Sequence, residues 1–100
     1  VNQRRAAKAD ANQREVVQAL RAAGGYWIHL GHPVDGIAGY RSKWVPVELK
    51  DGSKPPSKRE LTDDQLAFVR DCEAYRMPVI VATSAEDLLS QLRKLSGAWA

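Results

Sequence analysis

The sequence predicts an α/β domain, a mixed four-stranded sheet flanked by helices, in the order αβββαβ with a further C-terminal helix. Three observations carry this. Apolar residues recur at helical spacing in three separate stretches: Val16, Ala19, Leu20 and Ala23; Leu66, Val69 and Cys72; Leu88, Leu89, Leu92 and Leu95. Two short apolar runs joined by the polar turn Arg41-Ser42-Lys43 read as a β-hairpin. Pro78-Val79-Ile80-Val81-Ala82 is a short, wholly apolar run of the kind buried on both faces and commonly parallel to its neighbour.

A length of 100 residues suits one domain with a single core, with loose ends over residues 1–9 and 96–100. Residues 1–9 are polar and basic (Gln3, Arg4, Arg5, Lys8) and read as a frayed arm or a helix lead-in. The first helix is expected over residues 10–23, stopped by Gly24-Gly25. On its first turns Asn12-Gln13-Arg14-Glu15 has the capping-box pattern, and Glu15 reads either as that cap or as an acidic ligand. Tyr26-Trp27-Ile28-His29-Leu30 is the first strand, ended by Gly31-His32-Pro33. His29 and His32 read as packing or hydrogen-bonding residues, or as a phosphate contact or a catalytic acid.

The hairpin spans residues 33–50. Pro46 conflicts with a fully paired strand, which places pairing on one side only near the strand's start, with residues 47–50 paired on both. After it, residues 51–60 are rich in Gly, Pro, Ser and positive charge and form a loop, either a solvated connector or a grip on a phosphate backbone through Lys54, Lys58 and Arg59. The second helix opens with Thr62 as N-cap, Gln65 at the capping-box position and Leu61 with Leu66 as a hydrophobic staple. It should run to about Arg76 and bury Leu66, Val69 and Cys72, with Phe68 and Tyr75 beside them. A right-handed crossover then sets the last strand beside the one that ends at Lys50. The final helix starts at Ser84, and Trp99 falls in the tail, exposed or against another subunit.

No apolar run approaches the roughly 20 residues of a membrane span, and no signal-peptide pattern opens the chain. The chain begins on Val1, as an excised domain would. The single Cys72 forms no internal disulfide, and no Cys/His spacing suits zinc, which fits a reducing, cytoplasmic setting. The net charge of +3 and pI near 9.3 admit a nucleic-acid partner without demanding one.

Three charges interrupt the hairpin. Glu48 and Lys50 share one face of their strand, while Val45, Val47 and Leu49 take the other. Asp35 opens the partner strand and can bring its carboxylate beside Glu48. Two converging carboxylates repel, and a hard divalent cation is the usual resolution.

Asp35 upstream of Glu48-Leu49-Lys50, followed by Asp51-Gly52-Ser53, Lys54-Pro55-Pro56 and the Leu61-Thr62 to Gln65 helix start, resembles the PD-(D/E)XK nuclease superfamily. Within it the chain looks like the small VRR-NUC domains of phages and bacteria, related to Holliday-junction resolvases. The resemblance covers residues 9–89, most of the chain. Two positions depart from the pattern: Val34 stands between Pro33 and Asp35, and Pro46 replaces an apolar strand former.

The resemblance implies a restriction-endonuclease-like fold and a Mg²⁺-dependent endonuclease, with Mn²⁺ substituting, that hydrolyses DNA to a 5′-phosphate and a 3′-hydroxyl. Asp35, Glu48, the Leu49 carbonyl and Glu15 become the metal ligands, and Lys50 an electrostatic catalytic group. Gln65 becomes a functional glutamine. Lys54, Lys58, Arg59, Arg41 and Lys43 would hold the DNA backbone of a branched substrate, and a homodimer would cut both strands. The alternative is an inactive nuclease-fold module that binds DNA without cutting it, and a third is a structural domain whose charges form only a surface network.

Overall fold

The computed structural model describes residues 11–99. The N-terminal arm, residues 1–9, lies outside them. The elements are α1 (Ala11–Ala22), β1 (Tyr26–His29), β2 (Gly36–Tyr40), β3 (Lys43–Leu49), α2 (Asp63–Ala74), β4 (Ile80–Ala82) and α3 (Ala85–Trp99), with a 3₁₀ turn at Pro56–Lys58. The sheet order is β1-β2-β3-β4, antiparallel through β3 and parallel between β3 and β4. This is the αβββαβα architecture with a mixed sheet that the sequence predicts.

The core lies on one face of this sheet. Val45 and Val47 of β3, Ile80 and Ala82 of β4 and Trp27 of β1 pack with Val16, Val17 and Leu20 of α1 and with Leu88 and Leu92 of α3. Leucines four apart on α3 lie one above the other on a helix, so one stripe covers the sheet. Leu89 and Leu95 pack at its margin.

α1 stops where Gly24 takes the left-handed conformation (φ 89°), which lets Gly25 N–H reach the Leu20 carbonyl and Gly24 N–H the Arg21 carbonyl. α2 ends the same way with a less suited residue: Arg76 is left-handed (φ 57°), its N–H donates to the Glu73 carbonyl, and Met77 N–H donates to the Cys72 carbonyl. α2 therefore closes at Ala74. Tyr75, expected beside the core, is 78% exposed at the cap. Only Cys72 of this helix is fully buried, with Leu66, Phe68 and Val69 half-buried.

The β2–β3 turn is tighter than the sequence suggests. Arg41 and Ser42 both have positive φ (49° and 69°), the signs a two-residue turn needs to match strand twist. Pro46 pairs with Ile37 of β2, while β4 joins β3 only from Val47 onward, so proline sits where the strand has a single partner. Pairing on both sides is limited to Val47 rather than extending over residues 47–50 as expected, because the β2 ladder ends at Gly36 opposite Val47. Ser84 caps α3 by accepting from Asp87 N–H at 3.0 Å. That helix continues through Ser96 and Gly97 to Trp99, against the expectation of a loose tail from residue 96. The side chain of Trp99 lies outside the described residues.

Among the described residues no helix is long and apolar enough to cross a membrane.

Candidate functional site

The β2–β3 ladder has its last pair at Gly36 and Val47. One residue beyond, side chains take over from the backbone. Glu48 Oε1 accepts the Asp35 N–H at 3.1 Å, and Asp35 Oδ2 accepts the Leu49 N–H at 2.7 Å. Each acid thus satisfies a main-chain donor of the other strand, and the two carboxyl groups are fixed at the same end of the sheet.

Glu48 is only 3% exposed. Burial, and then the charge of Asp35, push its carboxyl up to about 7, against the opposing pull of Lys50. A buried acid beside a second acid resists ionisation, because the charged form loses hydration and meets a like charge.

Lys50 Nζ lies 3.3 Å from Glu48 Oε2 and donates to Gln65 Oε1 at 2.9 Å. Gln65 Nε2 in turn donates to Glu48 Oε2 at 3.0 Å. The carboxylate, the ammonium and the amide therefore close a ring of three contacts.

Gln65 reaches this ring because of how α2 begins. Thr62 is the N-cap: its hydroxyl accepts Gln65 N–H at 3.3 Å, and Gln65 Oε1 accepts Thr62 N–H at 2.9 Å. The capping-box glutamine read from the sequence is thus also a site residue, its single carbonyl oxygen serving both Thr62 and Lys50. Lys50 is anchored by its backbone too, since its N–H donates to the Ala82 carbonyl at 2.9 Å.

Asn12 of α1 donates from Nδ2 to the Lys50 carbonyl at 3.3 Å, a contact sequence reasoning missed. The expected capping box of Asn12 and Glu15 is not formed, because Ala11 and Asn12 are already helical. The only sequence signal was a polar residue one turn before Val16. Glu15 is exposed on α1. Among the described residues no three His, Cys, Asp or Glu side chains group as they would to hold a metal ion, so Glu15 does not join Asp35 and Glu48.

The basic loop leaves β3 beside this ring. Asp51 Oδ1 accepts both the N–H (2.9 Å) and the hydroxyl (2.7 Å) of Ser53, which holds the Asp51 carboxyl below its usual range. Lys54 and Lys58 are exposed; Arg59 is half-buried. Arg41 and Lys43 lie at the opposite end of the hairpin, five residues of strand and about 17 Å from Asp35. The Arg41 guanidinium sits 5.1 Å from the centre of the Tyr40 ring. His29 is exposed and shares a 3.3 Å hydrogen bond with the Gln13 amide; His32 is exposed as well.

The arrangement can do three things: present two oxygen donors side by side, hold a cation next to them, and keep all three from turning away. Comparison with protein-family models, with curated proteins and with solved structures finds no match to this chain.

Proposed function

We propose that this site belongs to a metal-dependent DNA endonuclease that hydrolyses phosphodiester bonds, with branched or junction DNA as its substrate. The observation that carries the reading is the crossed pair of Asp35 and Glu48 at the end of the ladder, with Lys50 Nζ 3.3 Å from Glu48. The resemblance of Asp35, Glu48 and Lys50 to the PD-(D/E)XK signature supports it.

The donors fit a hard cation. Both side chains offer carboxylate oxygen, and a positive ion between them would offset the burial and the Asp35 charge that together raise Glu48. Asp35 and Glu48 would hold Mg²⁺ or Mn²⁺ together with the Leu49 carbonyl. Mg²⁺ commonly takes one or two carboxylates and leaves its other positions to water and phosphate, so a third acid is not required. Bound there, it would supply neutralisation of phosphate charge and a lowered pKa for a water molecule.

The chain's own residues do the rest. Lys50, steadied by Gln65, would neutralise a phosphate bound beside the two acids or orient the attacking water. Gln65 fixes the spacing of Lys50 and Glu48, and Asn12 braces the backbone behind Lys50. Lys54, Lys58 and Arg59 hold the DNA backbone as it leaves the site, and two chains acting as a homodimer would cut both strands.

A second reading, a nuclease-fold module that binds DNA without cutting, is favoured by two observations. No three-acid group occurs among the described residues, and both Glu48 oxygens already accept hydrogen bonds within the protein. Incubation of the purified chain with supercoiled plasmid and with a four-way junction separates the two. Nicking in Mg²⁺ or Mn²⁺ but not in chelator is expected, with a loss of at least about 100-fold in Asp35→Ala and Lys50→Ala. Binding without nicking selects the second reading. Nicking that persists in chelator or in both variants overturns the mechanism.

A further inference from the structure

Side chains alternate along β3, so the face that carries Glu48 and Lys50 also carries Pro46 and Trp44. The strand register sets Tyr26, Gly39 and Trp44 in one row across β1, β2 and β3, with Ile28, Ile37 and Pro46 in the next row toward Asp35.

The two rings meet edge to face, 6.0 Å between centres and 74° between planes. Gly39 lies between their strands, and the Trp44 ring lies against it so closely that a Cβ there would stand 2.9 Å from the ring. Both rings nonetheless remain open to solvent, Tyr26 at 61% and Trp44 at 56%. An isolated surface aromatic turns freely, whereas this pair is held in place before anything binds, which lowers the cost of ordering on contact.

Trp44 lies four residues from Glu48, about 13 Å along the strand. Cations flank this face at the site end, where Lys50 stands on it and the loop beyond carries the exposed Lys54 and Lys58. At the turn, Lys43 takes the Val45 side of the strand and Arg41 lies over the ring of the core residue Tyr40. A nucleic-acid strand fits this distribution, its phosphates toward Lys50, Lys54 and Lys58 and its bases toward the exposed rings.

We propose that Tyr26 and Trp44 form a stacking platform for unpaired bases of a nucleic-acid strand whose backbone continues to Asp35, Glu48 and Lys50; this rests on the nuclease reading above and specifies its substrate as DNA with an unpaired segment beside the cleaved bond. Aromatic rings accept any base face, but only a base free of its duplex stack can offer one.

A cross-strand aromatic pair over a glycine also steadies a hairpin, so the test separates binding from stability. Binding of a single-stranded oligonucleotide and of a blunt duplex is measured in chelator for the wild type, Trp44→Ala, Trp44→Phe and Tyr26→Ala, with thermal unfolding and light scattering of each. Trp44→Ala is expected to weaken single-strand binding about tenfold, to leave duplex binding within about twofold, and to be largely rescued by Trp44→Phe. Tyr26→Ala, on the edge strand, carries the test if Trp44→Ala does not fold.

Unchanged single-strand affinity in the variants, equal losses on both DNAs, or a wild-type dimer that Trp44→Ala dissociates would each overturn the platform. Since no metal is present, the two readings fail separately. A wild type that nicks plasmid while the variants keep their single-strand affinity removes the platform alone. A selective single-strand loss in a protein that does not nick removes the nuclease reading alone.

Discussion

β3 has two faces with different duties. Val45, Val47 and Leu49 are buried against α1 and α3 in a wholly apolar layer, while Trp44, Pro46, Glu48 and Lys50 face the other way toward α2 and solvent. The first face is held by burial of hydrocarbon, which is non-directional. The second is held by single hydrogen bonds between named atoms, which are directional and leave each partner charged or polar. Two adjacent residues can therefore differ entirely in what their loss removes: Val47 supports the sheet at any pH, and Glu48, once ionised, works against the stability of the metal-free fold.

The largest expected separation comes from comparing Leu92→Ala with Lys50→Ala. Leu92 is fully buried under the sheet, and its truncation should cost about 2–5 kcal/mol in urea denaturation. Lys50→Ala removes a contact to an acid that is already reluctant to ionise, so it should change stability by less than Leu92→Ala while removing cleavage. Equal destabilisation by both would mean that the two faces are not separate.

A smaller effect is the pH dependence of the metal-free protein. Glu48 has its folded-state carboxyl raised from 4.5 to about 7, so the neutral form is the one the fold favours. Its contribution is fully present below pH 4.5 and is lost as pH rises through about 7. The stability of the wild type relative to Glu48→Gln should therefore fall across that window, by on the order of 3 kcal/mol. Saturating Mn²⁺ should remove the slope. A difference that is flat in chelator would show that Glu48 ionises freely.

The sequence made the apolar face far more legible than the polar one. Periodicity alone places Val16, Leu20, Leu88 and Leu92 inward, because burial depends on residue type and spacing, both of which are written in the chain. The pairing of Asp35 with Glu48 was readable for a related reason, since a tight turn fixes which residues lie opposite. What escaped the sequence depended on reach and on where helices start. Asn12 falls inside α1 rather than at its cap, so its amide is free to turn to the Lys50 carbonyl instead of the helix end. Spacing reads Gln65 as a cap and only the resemblance gives it a functional role; nothing in the spacing tells that the same oxygen also meets Lys50. Tyr75 looked like a core residue because helical spacing was extended past Ala74, where Arg76 in the left-handed region turns the chain away. A loose tail is expected from residue 96, yet α3 runs through Ser96 and Gly97.

Titration of Mn²⁺ into the metal-free protein, followed by calorimetry on the wild type, Asp35→Asn and Glu48→Gln, goes most directly to the shared-cation site. One saturable ion per chain, lost or strongly weakened in both variants, is the expected result. Binding that neither substitution alters, or no saturable binding at millimolar Mn²⁺, would contradict it.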